Sequence, residues 1–280
     1  MRERLLTTCE REFIHNVMKE GGEDGELVRL DGRGKSEMRR VLVTLGRQQY
    51  GQATASIGNT QAICRVSCSI VRPHEDRPTK GFVRYGVTLS PMASPDYDAG
   101  GRPSAASIYL TRLLEHIFRE ARALDDESLC IVAGEKVWAV SVNVTVTNDD
   151  GNMEDACALA ALAGLMHFRR PYVSIAGQDV VVHPFDEHEP VSLAINHRPL
   201  NVTTALFDNG DLALVDPTKI ELKVADGSIS VAMNTHGEIC GINSSEGLAV
   251  DPEQMEAIVA ATKHRVTHLF TALNKAFPKE

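Results

Sequence analysis

The longest alternation of polar and apolar residues lies near the middle of the chain, at 137–146, and a nearly all-apolar stretch follows it. The alternation has a period of two and is rich in β-branched residues, so it predicts a long β-strand. Asp150-Gly151 predicts a tight turn directly after it. The stretch 156–168 has almost no polar face, which predicts a helix buried on most sides. The chain is therefore predicted to centre on a strand, a turn and a buried helix.

The same patterns predict an antiparallel meander, one further strand and two helices upstream of this unit. The predicted strands lie at 41–46, 51–57, 61–71 and 82–89. A short helix opens at Thr8, and its apolar face consists of Phe13, Ile14, Val17 and Met18. Apolar steps of three and four residues predict an amphipathic helix over 104–124.

A second block of strands and one long helix follow. The predicted strands lie at 172–183, 190–197, 201–207, 211–216, 219–224, 228–233 and 238–242. Asp251 is a suitable N-cap for the last helix and Pro252 a suitable first helical residue. Because both blocks run from strands to a helix, we predict an α+β fold of two mixed β-sheet/helix modules. We place these modules at residues 1–185 and 186–280.

The composition is that of an ordinary globular protein with an acidic balance. The 280 residues are 43% hydrophobic and carry a formal net charge of −9. A freestanding RNA-binding module is usually basic, so any RNA contact here must be local or shared with other subunits. The six cysteines form no C-x-x-C pair, which favours a reducing compartment without disulfides or structural zinc. We expect no membrane partner, because no apolar run approaches ~18 residues and the N-terminus lacks the apolar core of a signal peptide.

The turn between the central strand and the buried helix has the geometry of an anion site. Its carboxylates would repel a phosphate, and the turn itself contains no arginine or lysine that could offset them. These carboxylates belong to Asp149, Asp150, Glu154 and Asp155. We therefore predict a site of this geometry that does not bind phosphate.

Three weaker motifs each have an ordinary structural explanation. The segment Gly32–Ser36 ends like a phosphate-binding P-loop but lacks its first glycine, which favours a basic loop. His264 and His268 lie one helical turn apart and form half of a metal site, although a solvated helix face is favoured. The loop Asp186–Glu189 could hold a divalent cation, but such acidic loops are more often only loops. We expect no metal and no cofactor.

Four arginines around the predicted helix 104–124 allow two interpretations. Guanidinium groups pair with phosphates and could line an RNA path. The spacing alone favours a solvated helix face instead. The residues are Arg102, Arg112, Arg119 and Arg122.

A series of short motifs along nearly the whole chain resembles a known family. They are Arg29–Arg33, Gly58–Thr60, Arg77-Pro78, Glu127–Cys130, Gly134–Trp138, Asp150–Asn152, His167–Pro171, Leu214–Pro217 and Met233–Cys240. The series resembles the RNase PH-like ring subunits of the eukaryotic RNA exosome. The Leu129-Cys130 pair followed by Gly134–Trp138 is similar to one particular subunit type within that family.

This resemblance implies the RNase PH fold, which is ribosomal protein S5 domain 2-like. It implies a hexameric ring with other RNase PH-like subunits, RNA-binding cap subunits, and single-stranded RNA threading a shared channel to a separate nuclease. It also implies work in 3′-to-5′ RNA processing and degradation, including that of rRNA. The expected locations are the nucleus and nucleolus, and also the cytoplasm.

Active members of the family cleave RNA by phosphorolysis, and the resemblance implies that their key positions are replaced in this chain. Met153 stands where an arginine of the phosphate cradle belongs. Asp216 and Glu221 match family acids, but Leu222 replaces the last acid. Ala105 and Ala106 take the places of an RNA-gripping arginine pair. We therefore expect a noncatalytic subunit; the alternative is an active phosphate-dependent 3′-to-5′ exoribonuclease.

Two arginines are the expected RNA contacts of such a subunit. Arg102 lies in the loop before the predicted helix 104–124, and Arg112 lies on the helix. Both are chosen because they are near the segment that faces RNA in the family.

Overall fold

The structure is a computed structural model that describes residues 6–20, 29–35, 37–97, 103–176, 179–245 and 248–277. The α-helices in these ranges are α1 (Thr8–Glu20), α2 (Ala105–Leu114), α3 (Met153–His167), α4 (Lys219–Val224) and α5 (Pro252–Ala276). The first nine strands are β1 (Val41–Leu45), β2 (Gln52–Ile57), β3 (Thr60–Val71), β4 (Phe82–Leu89), β5 (Cys130–Val132), β6 (Lys136–Asn148), β7 (Arg169–Arg170), β8 (Val173–Ala176) and β9 (Asp179–Val182). The others are β10 (Val191–Ser192), β11 (Leu200–Phe207), β12 (Leu212–Val215), β13 (Gly227–Met233) and β14 (Ile239–Ser245).

Two sheets contain ten of these strands, while β7 pairs with β10 and β8 pairs with β9. The first has the order β1-β2-β3-β6-β4, with β5 also pairing with β6. Strands β1, β2, β3 and β6 are antiparallel neighbours, whereas β4 runs parallel to β6 and forms the end of the sheet. The second sheet is antiparallel and has the order β12-β11-β13-β14.

Helix α3 contacts strands of both sheets, and α5 does the same. This position explains why α3 lacks a polar face: every residue from Asp155 to Leu165 is buried. At Gly164 the helix approaches β3 so closely that an added Cβ would lie 2.7 Å from Cys64 Sγ. One continuous hydrophobic core therefore includes residues from both modules.

The predicted α+β class is confirmed, because the chain combines β-sheets with α-helices that pack against them. The meander strands, β4 and β6 lie within one or two residues of their predicted bounds, whereas α3 begins at Met153, three residues before the predicted start at 156. Helix α5 begins at Pro252 after Asp251, as predicted. None of the helices in the described ranges combines the length and the apolar character that a membrane crossing needs.

The strand predicted at 219–224 is wrong, since these residues form helix α4. Thr218 and Glu221 form a capping box at its start, where Glu221 Oε2 accepts from the Thr218 N–H at 2.7 Å. Such a box satisfies two otherwise unpaired N–H groups of a first helical turn, which fixes a helix even over six residues.

The helix predicted over 104–124 is only partly correct. It is α-helical to Leu114 and then widens into a π-helix over Glu115–Glu120. Arg122 has φ +54°, a left-handed conformation that ends the helix and turns the chain.

Three further predictions also need correction, one of apolar packing and two of strands. In α1 only Ile14 is buried among the predicted apolar residues whose side chains are described; Phe13 is 61% exposed, and the Met18 side chain lies outside the described residues. The strand predicted over 172–183 is a separate two-stranded hairpin of β8 and β9. The strand predicted at 190–197 is reduced to the two residues of β10.

Candidate functional site

The turn between β6 and α3 is closed by the beginning of α4. Gly151 has φ +87° and Asn152 has φ +54°, so two consecutive left-handed residues lead into α3. A Cβ on Gly151 would lie 2.3 Å from the Lys219 nitrogen and 2.4 Å from the Thr218 carbonyl carbon. The Lys219 N–H also donates to the Asp150 carbonyl at 3.2 Å. Backbone of residues 217–219 therefore packs directly against the start of α3, where a site of this geometry would hold an anion.

Asp216 lies beside this turn, fully buried, and is surrounded by donors. Arg39 donates its backbone N–H and its Nε to Oδ2 at 2.8 and 3.0 Å, and its Nη2 to Oδ1 at 2.8 Å. Arg33 Nη1 donates to Oδ2 at 3.0 Å and Asn152 Nδ2 to Oδ1 at 2.7 Å. Burial alone would raise the pKa of Asp216, but the hydrogen bonds and charge of Arg39 outweigh it and lower that pKa. Asp216 is thus held as a carboxylate whose oxygens are already bound.

Arg39 binds the turn as well as Asp216. Its Nη1 donates to the Asp150 carbonyl at 2.9 Å and its Nη2 to the Gly151 carbonyl at 3.2 Å. Burial would lower the pKa of Arg39, but the neighbouring Asp216 raises it. Arg39 therefore carries a positive charge, and each nitrogen of its guanidinium group already donates a hydrogen bond to Asp216 or to the turn.

Glu221, the second matching family acid, forms a buried ion pair with Arg29. Arg29 Nε donates to Glu221 Oε1 at 2.8 Å, and Arg29 Nη2 also binds Oε2. Arg29 additionally donates to the carbonyls of Val215 and Asp216 at 2.7 and 2.8 Å. Both side chains are about 1% exposed or less, so Glu221 stabilises the fold and is closed to solvent.

Asp149, a further carboxylate of the turn, is also paired. Lys219 Nζ donates to Asp149 Oδ2 at 2.8 Å, and the Tyr97 hydroxyl donates to the same oxygen at 2.8 Å. Burial would lower the pKa of Lys219, but Asp149 raises it. Met153 contacts this group, with its sulfur 3.5 Å from the Tyr97 hydroxyl.

Two carboxylates at the start of α3 have only uncharged partners among the described side chains. Asp155 accepts four hydrogen bonds, from Asn152, Asn201 and the N–H and hydroxyl of Thr203. Burial nevertheless raises the pKa of Asp155 to about 7. Glu154 accepts from the Tyr109 hydroxyl at 2.9 Å, and burial raises its pKa too. These acids fix α3 to β11 and α2.

The turn itself contains no arginine or lysine, as its sequence shows, but two of its acids are offset in the structure. The offsetting cations come from outside it: Lys219 from α4, and Arg39 from the segment before β1. Sequence reasoning missed these residues, along with Arg29 and Arg33. The concentration of arginines at 29–40 was the available signal, but their acidic partners lie up to 192 residues away.

The positions that the resemblance implies to be replaced are not brought together into one pocket. Met153 lies at the turn, whereas Leu222 packs against the separate apolar cluster that contains Ile14. A carboxylate at 222 would not point at the turn without moving α4. Ala105 and Ala106 form the first turn of α2, where Ala105 is exposed and Ala106 half-buried.

Of the two expected RNA contacts, only Arg112 can be placed. It is exposed in the last turn of α2. Arg102 lies outside the described residues.

The three weaker motifs do not form a ligand site among the described residues. Arg33, in the segment Gly32–Ser36, is buried and bound to Asp31 and Asp216; Ser36 lies outside the described residues. His264, His268 and the loop Asp186–Glu189 are exposed. No group of three or more histidines, cysteines or carboxylates that could hold a metal ion occurs among the residues described.

The two sheets, the helices that contact both of them and the strand–turn–helix unit define a two-module protein of the RNase PH class. The model of the 3′ exoribonuclease family matches residues 37–171 with its domain 1 and residues 197–265 with its domain 2. The solved Archaeoglobus fulgidus exosome with RNA bound to the active site superposes with a TM-score of 0.78. That match has 28% identity and covers 94% of this chain and 98% of the archaeal chain.

Curated relatives assign the chain to a smaller group within this class. Exosome complex component RRP45 of Danio rerio is 40% identical over 280 residues, which is 100% of this chain and 69% of the relative. Its Schizosaccharomyces pombe counterpart is 39% identical over 245 residues, covering 88% of this chain and 81% of the relative. This chain belongs to the RNase PH-like subunits of the exosome. It spans about two thirds of the length of the vertebrate relatives that it matches.

Proposed function

We propose that this chain is a noncatalytic subunit of the hexameric exosome ring, which supports 3′-to-5′ RNA processing and degradation by shaping the RNA channel. The names of its relatives and the likeness to archaeal exosome chains support the assignment to the ring. One observation carries the noncatalytic part. Both acids that match the family's catalytic segment are held in internal ion pairs, and backbone of α4 fills the space at the start of α3.

Phosphorolysis needs a cationic site that is open to inorganic phosphate, because the attacking anion must be bound and its charge stabilised. Arg39 and Lys219, which lie nearest to the turn, already bind Asp216 and Asp149. A phosphate would have to displace the buried Asp216 to reach Arg39, and it would compete with Asp149, Asp96 and Ser94 for Lys219. We therefore propose that the turn has a structural role.

The proposed partners are other RNase PH-like ring subunits, RNA-binding cap subunits and single-stranded RNA in the shared channel. Arg102 and Arg112 are the proposed RNA contacts. The net charge of −9 is compatible with this role, because a ring member need supply only a few basic side chains to a channel lined by several subunits.

Finer assignments rest on the resemblance. We propose the subunit type of exosome component nine, the PM/Scl autoantigen subunit, on the motif Leu129-Cys130 followed by Gly134–Trp138. We propose the nucleus, the nucleolus and the cytoplasm as locations. We place the boundary between the modules at 185/186.

The test of catalysis is phosphate-dependent release of nucleoside diphosphates from single-stranded RNA by the reconstituted ring. Rings with the wild-type chain and rings with Asp216→Asn are expected to give equal rates. A phosphate-dependent activity that is present with the wild-type chain and lost with Asp216→Asn, in rings that assemble to the same extent, would establish the alternative, an active exoribonuclease.

The test of the RNA contacts uses the same rings. Arg112→Ala combined with Arg102→Ala is expected to lower RNA affinity and to flatten its salt dependence, because each lost phosphate contact reduces counterion release. Arg47→Ala, at an exposed arginine between β1 and β2, is the matched control. Equal affinity of both rings would contradict the assignment of Arg102 and Arg112.

A further inference from the structure

A groove of about 500 Å³ lies along the free edge of β4, on the side away from β6. The Ser90 N–H, just after β4, donates to the Val146 carbonyl of β6 at 3.1 Å, so even-numbered positions point their backbone groups at β6. Odd-numbered positions point outward, because backbone polar groups alternate along a strand. The outward groups are covered at both ends of β4. The Gly81 N–H donates to the Asp126 carbonyl at 3.0 Å, and the Val87 N–H donates to Thr111 Oγ1 at 3.1 Å.

Between these two covered ends lie Val83 and Tyr85. Their N–H and C=O groups face the groove, and no described residue pairs with them. A row of unpaired groups on an edge strand is a template for a further strand. The open stretch of β4 is therefore suited to bind an extended peptide.

The groove is basic and has an apolar floor. Its charged lining residues are Arg77, Lys80, Arg84, Arg119, Asp76 and Asp126. Four cations thus face two carboxylates in a chain whose net charge is −9. The Tyr85 and Phe118 rings stack at 5.8 Å to form the floor, and the Arg84 guanidinium lies 5.1 Å above the Phe82 ring.

We propose that this groove binds an extended acidic peptide segment of a partner protein, which adds to β4 as a further strand. Backbone pairing with Val83 and Tyr85 would provide affinity, and acidic side chains on the peptide would select the cations around them. A strand presents side chains to each face at every second residue, so a peptide can direct carboxylates to the cations and other groups to Asp126.

Single-stranded RNA fits the groove less well. Its charge repeats at every nucleotide and would meet Asp76 and Asp126 as well as the arginines. RNA also has no backbone N–H groups to pair with the two outward carbonyls of β4. The proposal concerns a surface apart from Arg112 and the turn at Gly151, so it is independent of the noncatalytic role proposed above.

The experiment measures binding of a fluorescein-labelled decapeptide of alternating glutamate and valine to the full chain by fluorescence anisotropy. We expect saturable binding that weakens with salt, together with slowed amide exchange at Val83 and Tyr85. Arg84→Glu and Arg119→Glu should each weaken binding by about tenfold, because each turns an attraction into a repulsion. Arg47→Glu, outside the groove, should leave the affinity unchanged.

Methylated peptides separate strand addition from charge attraction alone. Methyl groups on the amides of all glutamates, or of all valines, leave the charge unaltered but block one edge of an added strand. One isomer is expected to bind like the parent peptide and the other to lose binding.

Several outcomes would overturn the proposal. These are no binding of the acidic peptide, equal binding of a lysine–valine peptide, equal binding of both methylated isomers, and unchanged affinity in Arg84→Glu and Arg119→Glu. Binding of a single-stranded oligouridylate at the same residues without binding of the acidic peptide would assign the groove to RNA instead.

Discussion

Arg39 and Asp216 form a two-pronged ion pair that joins residues 177 positions apart, with Nε–Oδ2 at 3.0 Å and Nη2–Oδ1 at 2.8 Å. The same guanidinium binds the carbonyls of Asp150 and Gly151. One side chain therefore connects the segment before β1, the turn before α3 and the end of β12. Because β12 belongs to the second sheet, this connection spans both modules.

Arg39→Ala should lower the free energy of unfolding by about 3–5 kcal/mol, because it leaves a buried carboxylate without its main partner. Urea denaturation followed by circular dichroism measures the change. The free energy of unfolding of Arg39→Lys should lie between that of Arg39→Ala and that of the wild type, since an ammonium group keeps the charge but cannot form the two-pronged pair. Arg40→Ala, at the exposed neighbouring residue, is the control and should stay within about 0.5 kcal/mol of wild type. Equal losses at positions 39 and 40 would show that the ion pair does not stabilise the fold.

The contact between Gly151 and the start of α4 predicts an unusually costly glycine substitution. Gly134 provides a matched control, because it has φ +78° but no atom within 4 Å of an added Cβ. Gly134→Ala should cost about 1–2 kcal/mol, the strain of a left-handed alanine. Gly151→Ala adds a backbone clash and should cost roughly 1–3 kcal/mol more. Similar losses in the two variants would mean that α4 can move away from the turn, and that an anion could enter there.

The regular elements were predictable because their patterns are local. The alternation in β6 and the apolar run in α3 identify a strand and a buried helix without knowledge of their neighbours. Helix α4 was missed for a related reason. Its six residues are too few to display a helical period, and the decisive feature is the capping pair Thr218 and Glu221.

The candidate site was predictable only in part. Gly151 and the acids around it identified the turn, but they did not indicate which residues pair with those acids. Asp216 and Arg39 are distant in sequence, and nothing local at either position indicates the other. The apparent excess of negative charge was therefore an effect of considering one segment in isolation from its partners.

Low pH should reduce the free energy of unfolding, because Asp216 then becomes protonated. Its pKa lies below the usual 3.8 in the folded state, so its stabilising contribution is fully present above about pH 4. That contribution is lost as the pH falls through the lowered pKa. The stability difference between wild type and Asp216→Asn should shrink from pH 5 to pH 2 in a series of urea titrations. A difference that is constant with pH would show that the folded-state pKa of Asp216 is not lowered.

Asp155 should give the opposite pH dependence, so that its contribution to stability falls as the pH rises. Its folded-state pKa is raised from 3.8 to about 7, so its stabilising contribution is fully present below about pH 4 and is lost as the pH rises through 7. The stability difference between wild type and Asp155→Asn should therefore shrink from pH 4 to pH 8. Comparing two proteins that differ at this position alone cancels the titration of the histidines. A difference that grows over this range would indicate that the four hydrogen bonds to Asp155 hold it ionised and lower its pKa.

Introducing the arginine that the family resemblance implies at position 153 should not produce phosphorolysis. An arginine at position 153 would lie beside Tyr97 and Asp149, because the Met153 sulfur is 3.5 Å from the hydroxyl that binds this carboxylate. The added guanidinium would be drawn to Asp149, which already binds Lys219, and the backbone at Thr218 would still occupy the space against Gly151. Rings reconstituted with Met153→Arg should thus release no more nucleoside diphosphate than wild-type rings when RNA and phosphate are supplied.

Two further reconstituted rings should be measured beside the Met153→Arg ring. Met153→Leu preserves the apolar contact and controls for damage to the turn. Met153→Arg combined with Leu222→Asp, Ala105→Arg and Ala106→Arg restores every position that the family resemblance identifies as replaced. We expect this ring to be inactive as well, because Leu222 is directed at the cluster of Ile14 and the ion pairs of Asp216 and Glu221 remain intact. Phosphate-dependent release by either arginine ring, but not by Met153→Leu, would show that the site lacks only a cation and that its internal ion pairs yield to the substrate.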